Sequence, residues 1–259
     1  MAPDFAGKTA LITGAGRGIG RAIALGLADA GAGLILLARS AGQLDETRAM
    51  LLHRGAEAAR IQVVVADLGD EEQRDHAAGT AIEAARVDFL INNAATVEPL
   101  GVTAAIPAAE LRRAFELNVI APVALTAAVL PGMLDAGWGR IVNVSSGIVD
   151  RPGFMVGGNA YAATKAALEA HTVNLAAELR GTGVTVNAYR PGGVDTAMQA
   201  WIREQDPDRI GTALHTRFNQ SFTEGALITP ERSAAALIAH LGGDDSGSIW
   251  DVSDSTARV

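Results

Sequence analysis

Residues 9–30 begin with Thr9-Ala-Leu-Ile-Thr13, continue with Gly14-Ala-Gly-Arg-Gly-Ile-Gly20, and end in an alanine-rich run up to Ala30. The first run is short and apolar, which is typical of a buried strand, and the last run predicts a helix. Glycines between a strand and a helix permit a tight turn and let the backbone approach a pyrophosphate at the helix N-terminus. The glycine pattern alone is weak evidence, because an ordinary strand–helix turn can also carry it. The order of strand, glycine turn and helix predicts the start of a dinucleotide-binding fold.

The alternation of strands and helices continues along the chain. Further apolar runs predict strands at 34–38, 61–66, 87–91, 138–144, 184–188 and 248–252. Helical runs are predicted at 43–53, 70–86, 107–117, 122–136, 159–180 and 230–241, with a break around Asn118 and a kink or break at Pro131. Strands that alternate with helices favour a parallel, doubly wound sheet with helices on both faces. We therefore expect an α/β Rossmann fold of about seven strands, in a single domain over 1–259.

The composition excludes several classes of function. The net charge of −8 argues against nucleic-acid or membrane surfaces, because both partners require a basic patch. The chain contains no cysteine, which excludes disulfides, thiolate metal sites and a cysteine nucleophile. The five histidines show no ligand spacing, so no metal site is expected. No run is judged long enough to span a bilayer, and no signal segment is recognised, so a cytoplasmic protein is expected.

A tyrosine and a lysine lie four residues apart in Tyr161-Ala-Ala-Thr-Lys165, near the start of the predicted helix 159–180. Residues four apart share one face of a helix. A phenol with its ordinary pKa near 10 is a poor acid or base at neutral pH, and a neighbouring ammonium lowers that pKa. The pair is therefore a candidate proton-transfer device. An isolated pair of this kind is more often a packed tyrosine beside a solvated lysine.

A series of short motifs, taken in order, resembles the short-chain dehydrogenase/reductase family over almost the whole chain. The motifs are TGAGRGIG at 13–20, Asp67-Leu68, NNAA at 92–95, Asn118, VNVSS ending at Ser146, YAATK at 161–165 and RPGG at 190–193. Each motif could arise by chance, whereas their order and spacing together are highly specific. Within this family, the chain resembles the 3-oxoacyl-ACP reductase-like members. It implies an enzyme that interconverts a ketone or aldehyde and an alcohol by hydride transfer.

The resemblance implies a role for each matching residue. The family's catalytic tetrad corresponds to Asn118, Ser146, Tyr161 and Lys165, and Ser146 fits the pattern better than Ser145. Tyr161 would be the general acid/base, and Asn118 would hold a water that links Lys165 to solvent.

The resemblance also implies a cofactor site. Its expected residues are Gly14, Arg17, Gly18, Ile19, Gly20, Arg39, Ser40, Asp67, Leu68, Asn92, Ala94, Tyr161, Lys165, Pro191, Gly192, Val194 and Thr196. The glycines would accept the pyrophosphate, and Asp67 would bind the adenine amino group. Asn92 and Ala94 would line the adenosine ribose, and the turn after the sixth strand would hold the nicotinamide carboxamide and the diphosphate.

The end of the second predicted strand bears on cofactor choice. Sites for NAD carry an acid about twenty residues after the glycine turn, where it binds the ribose 2′-hydroxyl. This chain has Ala38, Arg39 and Ser40 there, and no acid before Asp45. Arg39, together with Arg17 in the glycine turn, would bind a 2′-phosphate. We therefore expect NADP(H) to be preferred, with NAD(H) possible.

The substrate is expected to be a small carbonyl compound or alcohol, and its identity is left open. The walls of the substrate site would come from 148–156 and 197–222. The second segment is either a mobile flap or an ordinary pair of surface helices. Arg151 beside Asp150 favours a solvated ion pair over a substrate contact.

Two other functions remain open, a cofactor-binding regulatory protein and an epimerase or dehydratase that uses nicotinamide transiently. A homo-oligomer, a tetramer or a dimer, is expected from the apolar stretch 111–136.

Overall fold

The chain folds around one seven-stranded parallel sheet, and the computed structural model describes residues 4–254. The strands are β1 (Thr9–Thr13), β2 (Gly33–Ala38), β3 (Ile61–Val65), β4 (Phe89–Asn92), β5 (Gly139–Val144), β6 (Val184–Arg190) and β7 (Ile249–Asp251). They lie in the order β3-β2-β1-β4-β5-β6-β7. The predicted fold class is confirmed, and the predicted strand bounds agree within two residues.

Helices cover both faces of the sheet. They are α1 (Gly18–Asp29), α2 (Ala41–His53), α3 (Glu71–Ala84), α4 (Ala108–Phe115), α5 (Ala121–Asp135), α6 (Asn159–Glu178), α7 (Ala197–Arg203), α8 (Pro207–Ile210), α9 (Thr212–Thr223) and α10 (Pro230–His240). Successive strand residues point to opposite faces. Ile12 accordingly packs with α1, α2 and α10, whereas its neighbour Leu11 packs with α3, α5 and α6. Both faces are buried, which is why these strands are almost continuously apolar.

The strand order reverses between β1 and β4, which are neighbours in the sheet although two strands separate them in the chain. Connections leave β1 and β4 toward opposite sides at this point, so a crevice opens beyond the carboxyl ends of the strands. The fold therefore brings the ends of β1, β2, β4, β5 and β6 to one edge of the sheet.

The predicted break around Asn118 is wrong. Helical structure runs without interruption over Ala108–Asp135, with one wide π-helical turn at Glu116–Ile120 between α4 and α5. In that turn the Ala121 N–H donates to the Glu116 carbonyl five residues earlier, so the turn widens and the helix continues.

Of the predicted kink or break at Pro131, the break is wrong, because α5 continues through this residue to Asp135. Proline removes the hydrogen bond to the carbonyl four residues earlier, here that of Ala127. Ala127 and Pro131 both lie on the exposed side of α5, where water can bind the carbonyl that is left free.

The helical stretch Ala108–Asp135 also corrects the expectation that no run was long enough to span a bilayer. Within the described range 4–254 it alone meets that test of length and composition. Its buried side packs on α3, β4 and β5 in the sandwich of helices and sheet. The core helices of soluble proteins pass the same test, so the result is weak evidence for a membrane segment.

Candidate active site

A crevice of about 1170 Å³ lies beyond the carboxyl ends of the strands, at the point where the strand order reverses. Its floor comes from the ends of β1, β2, β4, β5 and β6, and α7 and α9 form one wall. This is the position at which open α/β sheets bind ligands. Among residues 4–254, no group of three or more His, Asp or Glu side chains could hold a metal ion.

The glycine turn after β1 lines the crevice with Gly14, Gly16, Arg17, Gly18 and Ile19. Gly14 and Gly18 have φ values of +67° and +54°, a region in which side chains with a Cβ are strained. The turn leads directly into the N-terminus of α1, whose first N–H groups are free to bind an anion. The residues present therefore fit a pyrophosphate.

Gly20 packs tightly inside the glycine turn. It is buried and does not line the crevice. A Cβ at Gly20 would lie 2.3 Å from the Gly14 carbonyl oxygen and 2.6 Å from Asn93 Nδ2. Gly20 therefore also has a packing role, because its absent side chain lets α1 pack against the turn, and its contact with the pyrophosphate stays a prediction.

We predict that Gly20→Ala lowers the free energy of unfolding by about 3 kcal/mol, because the added methyl meets backbone that has no room to move. The melting temperature should fall by about 6–12 °C in a thermal scan. Gly79→Ala is the matched control, since Gly79 lies within α3 and a Cβ there meets nothing within 4 Å. The control should be more stable than the wild type by about 0.5–1 kcal/mol. Equal melting temperatures for the two variants would contradict this packing role.

A small hydrogen-bond network joins the ends of β1 and β4. Thr13 Oγ1 accepts from the backbone N–H groups of Asn93 and Ala94, each at 2.9 Å, and Asn93 Nδ2 donates to the Thr13 carbonyl at 2.9 Å. Asn93 and Ala94 line the crevice, but Asn92 does not. The Asn92 side chain is buried and donates to Asn143 Oδ1 at 2.9 Å. The expectation that Asn92 lines the ribose therefore finds no support in its side chain, and sequence reasoning missed Thr13 and Asn93.

The expected adenosine end of the crevice contains both arginines. It is lined by Arg17, Arg39, Ser40, Asp67 and Leu68. Arg17 and Arg39 are exposed, and the ion pairs found within residues 4–254 include neither of them. Ser40 caps α2 by accepting from the Gln43 N–H at 3.5 Å, and Asp67 Oδ1 accepts from the Gly69 N–H at 3.0 Å.

Ser146, Tyr161 and Lys165 meet at the other end of the crevice. Ser146 follows β5, whereas the other two lie one turn apart on α6. Burial raises the pKa of Tyr161, and its hydrogen bond with Ser146 partly offsets this rise. Burial lowers the pKa of Lys165 to about 8, against a raising effect of the Glu169 carboxylate.

The protein alone does not show the predicted lowering of the Tyr161 pKa by Lys165, and a lowering by Lys165 together with oxidised nicotinamide stays a prediction. Lys165 Nζ donates to the Val144 carbonyl at 2.7 Å and lies 5.8 Å from the centre of the Tyr161 ring. The ammonium is thus directed at β5, and the loss of water around the phenol dominates. The net pKa of Tyr161 lies above its ordinary value, so the phenol is protonated at neutral pH.

Asn118 lies in the π-helical turn, is fully buried and does not line the crevice. Its Oδ1 accepts from the Thr96 N–H at 2.8 Å, and its Nδ2 donates to the Thr96 carbonyl at 2.8 Å and to Thr164 Oγ1 at 3.0 Å. Both amide groups are engaged by the protein, which does not support a side chain that holds a water. Asn118 instead fixes Thr96, which does line the crevice.

The two serines at the end of β5 have separate partners. Ser145 donates to Glu169 Oε1 at 2.6 Å and is buried, whereas Ser146 is the partner of Tyr161. Of the two serines, Ser146 is therefore the one that lies beside the Tyr161 phenol. The expected ion pair between Arg151 and Asp150 is absent within the described range, because the Asp150 carboxylate accepts from Arg190.

The turn after β6 contributes Pro191, Gly192, Val194 and Thr196 to the crevice, as expected. Gly192 has a φ of +80°, and Val194 pairs with Ile228 in an isolated bridge. The following segment 197–222 forms α7, α8 and most of α9. It covers the crevice through a cluster that includes Met198, Trp201, Phe218, Ile148 and Tyr161.

The fold and this crevice define a nucleotide-binding oxidoreductase of the Rossmann type. The family model for short chain dehydrogenases matches residues 8–207, and the chain belongs to this family. It is 37% identical over 251 residues to oxidoreductase UcpA of Salmonella typhimurium, over 93% of this chain and 89% of the relative.

Two solved structures share the whole architecture. L-Sorbose reductase from Gluconobacter frateurii, in complex with NADPH and L-sorbose, superposes with a TM-score of 0.84, 27% identity and 97% coverage of both chains. A 3-oxoacyl (acyl-carrier-protein) reductase from Agrobacterium tumefaciens with bound NADP gives 0.82 and 29% identity, over 96% of this chain and 93% of that one. The sequence-based assignment to the family is thereby confirmed.

Proposed function

We propose that the protein is an NADP(H)-dependent oxidoreductase that interconverts a ketone or aldehyde and an alcohol, with Tyr161 as general acid/base. The observation that carries the proposal is the arrangement of Ser146, Tyr161 and Lys165. The Ser146 hydroxyl lies beside the Tyr161 phenol, and a buried ammonium lies one helical turn away in the same crevice. Such a group of donors can bind an oxygen atom and transfer a proton to it.

The residues divide the chemistry of a reduction between them. Bound nicotinamide supplies the hydride that the carbonyl carbon receives. Ser146 donates a hydrogen bond to the carbonyl oxygen and places it beside the phenol. Tyr161 transfers its proton to that oxygen, and the Lys165 ammonium stabilises the phenolate that forms. In the oxidation of an alcohol, the deprotonated Tyr161 phenolate accepts the hydroxyl proton instead.

Burial supports the assignment of Tyr161 as the acid in a reduction. The raised pKa of Tyr161 keeps the phenol protonated until a substrate arrives. Asn118 fixes Thr96 at the wall of the crevice, and the residues from the cofactor set that line the crevice would hold the dinucleotide. Gly20 and Asn92 would act behind that lining.

The proposal of NADP(H) as the preferred cofactor rests on Arg17 and Arg39, which lie at the same end of the crevice without a carboxylate partner among the described ion pairs. The NADP- and NADPH-bound relatives agree with this preference. NAD(H) remains a possible second cofactor.

A panel of ketones, aldehydes and secondary alcohols, followed by NADPH or NADH absorbance at neutral pH, tests the proposed function. We expect turnover with at least one carbonyl compound and NADPH. Cofactor binding without turnover of any compound would contradict the proposal and favour a regulatory protein. Nicotinamide that copurifies and does not exchange would instead favour an epimerase or dehydratase.

We further propose that residues 1–259 form one domain that acts in the cytoplasm on small molecules, without nucleic acid or membrane as partner. Support comes from the single sheet, which takes strands from Thr9–Thr13 to Ile249–Asp251. The net charge of −8 agrees with it, since it does not favour anionic partners.

We predict a homo-oligomer, a tetramer or a dimer. Exposed apolar side chains lie on the helical stretch Ala108–Asp135 and on α6, and they include Ile120, Leu134 and Val173. Light scattering at micromolar concentration should give two or four times the chain mass of 26.6 kDa. Val173→Arg should weaken association, whereas Leu52→Arg on α2, across the sheet, should leave it unchanged. A monomeric wild type at this concentration would contradict the prediction.

We also predict that 197–222 closes further when ligands bind. The segment already packs through Ile202, Ile210 and Leu214, but its wall of the crevice carries partly exposed Trp201 and Phe218. Covering these side chains should slow amide exchange in the segment when NADPH and the best carbonyl compound of the panel are both present. Hydrogen-exchange mass spectrometry measures this effect, and equal exchange with and without the ligands would count against closure.

A further inference from the structure

Glu169, Arg190 and Asp150 form a chain of ion pairs behind the candidate catalytic residues. Arg190 donates to both oxygens of Glu169, from Nε and from Nη2, each at 2.8 Å, and its Nη1 donates to Asp150. The side chains of Glu169 and Arg190 are 6% and 11% exposed, whereas that of Asp150 is 63% exposed. A two-pronged contact between arginine and carboxylate fixes geometry. The pair is therefore a rigid buried unit with an exposed third member.

Each member comes from a different segment of the crevice. Glu169 lies one turn after Lys165 on α6, and it also accepts from Ser145 at the end of β5. Arg190 is the last residue of β6, directly before the turn that lines the crevice. Asp150 lies in the loop that follows β5 and lines the crevice itself. The network thus joins the three segments that would have to keep their spacing during proton and hydride transfer.

We propose that Glu169, Arg190 and Asp150 are positioning residues that hold the loop 147–158 and the end of β6 against α6, and that Glu169 keeps Lys165 charged. The effect on Lys165 rests on the proposed function, because it assumes that the Lys165 ammonium is needed for turnover. The positioning of the loop and of β6 concerns the architecture of the crevice and does not depend on the proposed function.

A purely stabilising role explains this network less well. Removing two charges from water costs free energy that their attraction barely recovers, so a buried ion pair contributes little net stability compared with apolar residues of the same volume. The network also does not lie at random, because all three members contact or precede residues of the crevice wall. We therefore expect the network to keep the loop 147–158 ordered and Lys165 charged.

The charges around Lys165 determine the sign of the second effect. On α6, Lys165 has Tyr161 and Glu169 as neighbours one turn away. Glu169 is paired with Arg190 from β6, and Arg190 is paired in turn with Asp150. Burial lowers the pKa of Lys165 to about 8, and Glu169 raises it. A neutral residue at Glu169 would remove the raising charge and leave Arg190 as the nearer one. The lysine would then lose its proton at lower pH.

The loop is tested with Asp150→Asn, which leaves the buried pair intact. Asp244→Asn is the matched control, because Asp244 is likewise exposed and pairs with the buried Arg140, at 2.8 Å, away from the crevice. Hydrogen-exchange mass spectrometry of the full-length protein needs no substrate. We expect exchange in 147–158 to become at least several-fold faster in Asp150→Asn and to stay at the wild-type rate in Asp244→Asn. Equal exchange of this loop in both variants would overturn the proposal that Asp150 holds the loop through Arg190.

The charge effect is tested through the pH profile of kcat/KM for the best carbonyl compound with NADPH. In the wild type we expect the rate to fall as pH rises through about 8. In Glu169→Gln the fall should begin about one pH unit lower or more. Glu169→Asp, which keeps the charge, should retain most of the wild-type profile.

A profile of Glu169→Gln that coincides with the wild type would overturn the charge effect. If this variant does not fold, Glu169→Leu/Arg190→Met replaces the pair with apolar groups, and a fall at lower pH than in the wild type is expected of it, because the Glu169 charge is removed. A wild type without turnover would contradict the proposed function, while the exchange experiment would still decide whether Asp150 holds the loop through Arg190.

Discussion

Tyr161→Phe is expected to lower kcat for carbonyl reduction by about a thousandfold or more. The variant removes the hydroxyl that would give its proton to the substrate oxygen, and general acid catalysis contributes about 10²–10⁴. The ring stays half-buried against its cluster, so the fold and the crevice should be unchanged. Steady-state kinetics with NADPH and the best carbonyl compound of the panel measures the loss.

Cofactor affinity separates this result from a general failure of the site. The dissociation constant for NADPH, from fluorescence titration, should change less than about threefold in Tyr161→Phe. Lys165→Met should weaken both turnover and NADPH binding, because it removes a buried charge that donates to the Val144 carbonyl and lies beside the cofactor wall. A Tyr161→Phe variant that retained a tenth of the wild-type rate would require a different acid, and Ser146 would be the first candidate.

The wild type is expected to prefer NADPH over NADH by about tenfold or more in kcat/KM. A charge-assisted hydrogen bond to phosphate contributes about 1.5–3 kcal/mol, and solvent screening at exposed arginines favours the lower end. About 1.4 kcal/mol is already a tenfold preference. Arg39 follows β2 directly, and Arg17 lies in the glycine turn at the same end of the crevice.

The double variant Ala38→Asp/Arg39→Gln should reverse this preference. The new carboxylate would repel a 2′-phosphate and accept a hydrogen bond from a 2′-hydroxyl, whereas the glutamine removes the cation. Arg54→Gln is the matched control, because Arg54 is an exposed arginine that pairs with Asp29 and does not line the crevice. Its cofactor preference should equal that of the wild type. A wild type that favours NADH would show that Arg39 does not bind the phosphate.

The local sequence was sufficient to predict the seven strands and their partner helices. Apolar runs of strand length, alternating with helical runs, leave few arrangements other than a parallel sheet covered on both faces. The sequence was less reliable where a helix had to tolerate an unusual residue. At Asn118 a π-helical turn absorbs the irregularity, and at Pro131 the lost hydrogen bond lies on an exposed side, so the expected breaks did not occur.

The candidate site was predictable as a set of residues but not as a set of contacts. The motifs identify Ser146, Tyr161 and Lys165, and the structure brings all three together at the crevice. Which groups are desolvated depends on the elements packed around them. The pKa of Tyr161 rises because burial outweighs the opposing effect of Ser146, while Lys165 is directed at Val144, and spacing along one helix gives no information about this balance.

What the sequence by itself determined is the class of fold, the order of its strands along the chain and the residue types gathered at their carboxyl ends, because these follow from local periodicity and from short motifs. Only the tertiary structure decided which neighbours in the chain line the crevice and which partner each of them binds. Asn92 turns inward and Asn93 remains at the wall, Ser145 binds Glu169 and Ser146 meets Tyr161, and Asp150 pairs with Arg190 instead of the adjacent Arg151. The physical reason is that each choice depends on a partner that lies 20 or more positions away in the chain or on a different element, which no local pattern records.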